Sequence, residues 1–186
     1  MTMPATKADA RTGVIAGSGS LPVDVVRSLR ADGQNPFLVL VDGEADPGEA
    51  AYAGCEQVVL SVEQVGDLIV HLKRAGVARA VLAGGVARRP VFSRIRWNIG
   101  TLRMLPRIFM ALARGDDMVL RALIDHIEAN GIAVVGAHEI VPDLVAPAGV
   151  LTRTQPTRAD RADIAAGLAA AGAIGRLDIG QGAIAI

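Results

Sequence analysis

The sequence predicts a parallel α/β sheet with helices on both faces, and three observations predict it. Five short apolar runs carry no polar alternation, as strands covered on both faces do. Helically spaced segments lie between those runs. Glycine-rich turns follow the first and fourth runs, where open α/β sheets present their ligand crevice.

The opening stretch, MTMPATKADARTG, is polar and has no apolar run. Residues 1–12 are expected to form a short disordered tail, not a signal peptide. GVIAG (13–17) is the first strand, GSGSLP (17–22) a turn, and Val23, Val26 and Leu29 the apolar face of a helix that stops at Gly33. FLVLV (37–41) is the second strand, ending at Asp42, and QVVL (57–60) the third. Ser61 and Gln64 have capping-box spacing for a helix that reaches about Ala75, with Gly76 as its stop. AVLA (80–83) is the fourth strand, followed by Gly84 and Gly85. Two helical stretches, 99–113 and 117–129, lead past Asn130 and Gly131 to the fifth strand, IAVV (132–135).

Beyond Val135 the pattern loosens. Pro142, Pro147, Gly149 and Pro156 punctuate a linker-like stretch, a short helix is expected over 160–171, and LDIGQGAIAI (177–186) looks like a strand entering new structure. The domain reading is therefore a Rossmann-like domain over 13–150, then a linker and the start of a second domain over 151–186. That final apolar run is expected to be the cut edge of a longer protein, because an unpaired apolar strand is an aggregation hazard.

Composition narrows the classes. Apolar residues make up 51% of 186, enough for a globular core. Lys+Arg and Asp+Glu balance at 19 each, so net charge gives no case for a nucleic-acid partner. The single cysteine, Cys55, has no internal disulfide partner and fits a reducing compartment. The longest weakly polar stretch, residues 164–175, falls short of the roughly 18 residues of a membrane span. A cytoplasmic location is expected.

Four constellations carry chemistry. The first is 17–22, where Gly17, Ser18 and Gly19 let the backbone approach a ligand and a helix start offers free amides to an anion. Ser20 is a candidate cap and Pro22 suits the first turn. The turn looks like a dinucleotide fingerprint with Pro22 in place of the third glycine, which weighs against NAD. A tight turn with no ligand is the competing reading. Asp42 stands where a ribose-binding acid often lies, although a plain turn residue explains it as well. The second constellation, GGVARRP (84–90), joins two glycines to Arg88 and Arg89 and suits a diphosphate; a solvated loop is the alternative. The third, 90–107, mixes Arg94, Arg96, Arg103 and Arg107 with Phe92 and Trp97. It suits an anionic membrane surface or an acyl groove, or else an ordinary packed or dimer-forming helix. The fourth is Asp116-Asp117, adjacent carboxylates that could hold Mg2+ through waters or simply cap a helix. His71 and His126 fall mid-helix, and His138 follows the fifth strand as a polar-contact candidate. No histidine or cysteine cluster with metal-ligand spacing occurs.

Read in order, IAGSGSLP (15–22), VDGEADP (41–47), AGGVARRP (83–90), GDDMVLRAL (115–123), VVGAHEIVPDLVAPAGVLT (134–152) and LDIGQGAIAI (177–186) resemble the LpxI family of UDP-2,3-diacylglucosamine pyrophosphatases. The ordered set covers nearly all residues from Gly13 onward. The resemblance implies a Gram-negative bacterial enzyme that hydrolyses UDP-2,3-diacylglucosamine to UMP and 2,3-diacylglucosamine 1-phosphate in lipid A synthesis, supported by Mg2+. It also implies a Rossmann-like domain and a second domain with the substrate between them. On this basis Gly17, Ser18, Gly19, Leu21, Pro22, Gly84, Gly85 and Arg88 are expected substrate contacts. Asp178 and Gln181 would stand near the domain junction, and Asp116 and Asp117 near the metal. The resemblance puts the acidic residue thought essential for catalysis beyond Ile186, so no catalytic residue is assigned. Peripheral contact with the inner membrane and self-association are further expectations. Two rivals stand beside this reading: an NAD(P)-dependent oxidoreductase, and a nucleotide-sugar-binding module without catalysis.

Overall fold

The computed structural model describes residues 11–88 and 116–176, with the side chains of 116–119 outside that description. The chain divides into two compact units, Met1–Leu144 and Val145–Ile186. The division thus falls between Leu144 and Val145, where the sequence reading placed it after residue 150.

Five strands form the sheet of the first unit: β1 (Arg11–Ala16), β2 (Phe37–Val41), β3 (Glu56–Leu60), β4 (Val77–Ala83) and β5 (Ala133–Val134). Their spatial order is β3-β2-β1-β4-β5, and all four pairings are parallel. Chain order therefore reverses at β1, between β2 and β4. That reversal is the topological switch point, where the crossovers leave to opposite sides and a crevice opens at the carboxyl ends of the strands.

Helices α1 (Leu21–Ala31), α2 (Val65–Arg74), α3 (Asp116–Ala129) and the single turn α4 (Ala137–Ile140) accompany the sheet. Alternate strand residues feed two cores, as the twofold period of a strand requires. Ile15, Phe37, Val39, Val77 and Ala80 pack with Leu68, Ile69 and Leu72 of α2 and Ile127 of α3. Val14, Ala16, Leu38, Leu40, Val81 and Ala83 pack with Val25, Val26 and Leu29 of α1, Tyr52, and Ile140 of α4. Helices thus cover both faces, which is why β1 and β2 read as unbroken apolar runs.

Three departures from the expected boundaries have a visible cause. Arg11 and Thr12 belong to β1 and not to a tail. Arg11 donates to Glu56 Oε2 at 2.8 Å and to the Ala75 carbonyl at 2.9 Å, and lies over the Phe37 ring. Thr12 is buried, its hydroxyl accepting from Arg79 Nε at 2.8 Å and donating to Gln34 Oε1 at 3.1 Å. The same bonds let β4 begin at Val77, because the Arg79 charge finds partners inside the strand. Helix α2 opens through a 3-10 turn, Val62–Gln64, and half of the expected box is seen: the Ser61 amide donates to Gln64 Oε1 at 3.1 Å, while the Ser61 side chain makes no capping bond. The helix expected over 99–113 and the strand over 177–186 lie outside the described residues.

In the second unit, α5 (Arg158–Arg176) extends past both expected ends of its helix. It buries none of its side chains, and Ile164 and Leu168 are exposed one turn apart. Among the described residues, no helix is long and apolar enough to cross a membrane.

Candidate functional site

Strands β1 and β4 end side by side, with Ala16 opposite Ala83. The turn after β1 and the turn after β4 are therefore neighbours at the carboxyl edge. They are joined directly. The Gly17 amide donates to the Ala83 carbonyl at 2.8 Å, extending the ladder. Ser18 and Gly85 then exchange amide bonds at 2.8 and 3.0 Å as an isolated antiparallel bridge. The Ser18 hydroxyl adds a third bond to the Gly85 carbonyl at 3.0 Å.

This contact explains two of the glycines. A Cβ on Gly17 would overlap the Gly85 carbonyl oxygen and stand 2.9 Å from its carbon. A Cβ on Gly84, whose φ is +88°, would overlap the Ser18 carbonyl oxygen and stand 3.0 Å from Pro22 Cγ. Pro22 fills the space below, buried at the start of α1. Gly17, Gly84 and Pro22 therefore bring one loop against the other. Gly19 differs: at φ +96° it turns the chain into α1 with nothing within 4 Å of a Cβ. That glycine is the one with room for a ligand.

The amides sort the same way. That of Gly17 is spent on the ladder, and those of Ser18 and Gly85 on the bridge. Among the described residues, those of Gly19, Ser20, Leu21 and Val23 have no acceptor. Ser20 is the N-cap residue, but its side chain makes no capping bond, so the expected cap is absent and the helix start stays open. Its backbone is helical, with φ −82° and ψ −23°, whereas a capping side chain normally works from an extended residue. Unpaired amides at the positive end of a helix dipole favour an anion.

Arg88 is engaged otherwise. Its guanidinium lies 3.7 Å from Asp42 Oδ2 and 3.6 Å from Glu63 Oε1. Its amide and that of Ala87 both donate to Glu44 Oε1 at 2.8 Å. Glu63 is buried and Asp42 exposed, so the two ion pairs differ in kind. A buried carboxylate needs a cation or hydrogen bonds, whereas an exposed pair adds little. The loop after β4 thus runs back across the ends of β1 and β2 toward the turn after β3. Sequence alone gives neither Glu44 nor Glu63 a role; within 41–47 only Asp42 stands out.

Asp116 and Asp117 occupy the first turn of α3, which feeds β5 and so starts at this same carboxyl edge; their side chains are outside the described residues. Arg89, the segment 90–107, Asp178 and Gln181 are outside them as well. His138 is exposed on α4, and His126 is buried in α3. Among the described residues, no three His, Cys, Asp or Glu side chains converge as a metal site.

Topology and edge together define a Rossmann-type α/β protein with an uncapped helix start at its switch point. Residues 11–144 match the LpxI N-terminal domain and residues 147–186 the LpxI C-terminal domain. The chain belongs to the LpxI family. It is 34% identical over 174 residues to the UDP-2,3-diacylglucosamine pyrophosphatase LpxI of Caulobacter vibrioides, an alignment covering 94% of this chain and 61% of that protein. The chain thus spans about three-fifths of the length of that relative. A UDP-glucose-4-epimerase from Stenotrophomonas maltophila aligns at 13% identity and a TM-score of 0.43, over 68% of this chain and 36% of the epimerase.

Proposed function

We propose that this chain holds the nucleotide-sugar end of UDP-2,3-diacylglucosamine while the pyrophosphate is hydrolysed in lipid A synthesis. Water adds to one phosphorus, the bridging P–O bond breaks, and UMP and 2,3-diacylglucosamine 1-phosphate leave. Family membership supplies the substrate class, and the relative of known name carries that activity. The observation that carries the reading to particular residues is the open start of α1, where the amides of Gly19, Ser20, Leu21 and Val23 have no acceptor among the described residues, at the switch point. A diphosphate is the anion such amides suit, and preorganised donors there would also stabilise charge gathering on the departing nucleotide.

The oxidoreductase rival fares worse. A dinucleotide in this fold sets a ribose against the acid ending β2. Here that acid, Asp42, faces Arg88, and the loop carrying Arg88 crosses the same edge.

Calorimetric titration tests the reading: UDP and UDP-2,3-diacylglucosamine bind, and NAD does not. Binding of NAD with no response to UDP would overturn it. Release of UMP, followed with Mg2+ and again with EDTA, tests the hydrolysis and the metal requirement, which rests on the resemblance. Contact of the basic, apolar segment 90–107 with anionic membrane is part of the same proposal, checked by vesicle flotation.

A further inference from the structure

We propose that Glu44 is a positioning residue that sets nucleotide selectivity by clasping the loop after β4 across the edge of β1 and β2. The inference rests on the nucleotide-sugar reading of this edge and adds to it a reason why a dinucleotide is turned away.

Four contacts, from three separate turns, fix the loop. Ser18 and Gly85 bridge at the end of β1. Past β2, one oxygen of Glu44 accepts both the Ala87 and Arg88 amides at 2.8 Å. Past β3, buried Glu63 lies 3.6 Å from the Arg88 guanidinium. Between the last two, Asp42 lies 3.7 Å from the same guanidinium.

Each contact has a different weight. The Asp42 pair is long and exposed, so it contributes little by itself. The Glu44 bonds are short, charge-assisted and directed at the backbone, so they fix where the loop runs and not merely where a side chain points. The half-buried position of Glu44 strengthens them further. Glu63 then keeps Arg88 turned inward.

The consequence is spatial. With the loop held, a guanidinium occupies the front of Asp42, where a dinucleotide's ribose hydroxyls would bond. Among the described residues, the amides of Gly19, Ser20, Leu21 and Val23 at the start of α1 have no acceptor. The edge is left with a place for phosphate and none for a ribose bound in the usual dinucleotide manner. Arg88 supplies the cation that the clasp closes on.

The test compares wild type, Glu44→Ala and Glu44→Gln by amide hydrogen exchange and by titration with UDP-glucose and with NAD. Glutamine keeps an oxygen that can accept both amides; alanine does not. In Glu44→Ala, exchange at Ala87 and Arg88 should rise roughly tenfold or more while the amides of β1 and β4 keep their protection. Affinity for UDP-glucose should fall several-fold and NAD binding become measurable, and Glu44→Gln, which keeps the acceptor and loses the charge, should fall between Glu44→Ala and wild type. Unchanged exchange at Ala87 and Arg88 in Glu44→Ala overturns the clasp. A loop that opens without shifting the preference between UDP-glucose and NAD overturns its role in selectivity. Wild type that binds neither nucleotide overturns the nucleotide-sugar reading, and the exchange arm still decides the clasp.

Discussion

Gly17 and Gly19 stand two positions apart in one motif and serve different ends, which substitution separates. Gly17→Ala drives a methyl into the Gly85 carbonyl, and backbone cannot step aside as a flexible side chain can. A loss of about 2 kcal/mol or more is expected in urea unfolding. Gly19→Ala meets open space and pays only for its positive φ, about 1 kcal/mol. Its effect should appear in binding, as weaker affinity for UDP in a protein that still folds. If the two variants unfolded at the same urea concentration, the division between a structural and a ligand-facing glycine would be wrong. Sequence could name both glycines but not part them, because the carbonyl that Gly17 avoids lies 68 positions downstream. The neighbours of Arg88 are hidden from sequence for the same reason. Its partners Asp42, Glu44 and Glu63 come from two other turns, and only closure of the sheet brings them near.

Elements were more legible than contacts. β2 was read to the residue, since an apolar run flanked by Pro36 and Asp42 leaves no choice of ends. β4 was read three residues short because Arg79 interrupts its apolar run, and nothing local shows that Thr12 and Gln34 await that charge. Arg79→Ala should cost about 1–3 kcal/mol in urea unfolding, since buried Thr12 loses a donor. UDP affinity should stay unchanged, because this network lies at the opposite, amino edge of the sheet.

The 3-10 turn Ala50–Tyr52 offers a pH handle. Burial, then the nearby Glu49 and Asp46 charges, raise the Tyr52 pKa above 10.0. The folded state holds that proton more tightly than the unfolded chain does. The stability it contributes is complete below the unfolded pKa and is lost as pH rises through the folded one. Tyr52→Phe should therefore lose less stability than wild type when urea midpoints are compared between roughly pH 9 and 11.

At the scale of the whole molecule, strand order and site position followed from pattern, since parallel strands with short glycine turns place their crevice at the switch point. The boundary between units is marked by exposure. Residues 142–155 are exposed throughout, including Leu144, Val145, Val150 and Leu151. Thermolysin, which favours bulky apolar residues, should cut between 144 and 151 under native conditions, with the products identified by mass spectrometry. Persistence of an uncut chain would show that the two units shield this segment.

The bridge between Ser18 and Gly85 also governs when the site comes into being. Its partners are 67 residues apart, so it waits until β4 has docked beside β1. Loop closure over that distance precedes any reward from the contact, which makes such pairings slow and late. A nucleotide has no finished cradle to grasp on the way to the folded state. Its binding energy should appear almost wholly in the escape rate: saturating UDP should slow unfolding and leave the refolding rate unchanged in stopped-flow circular dichroism.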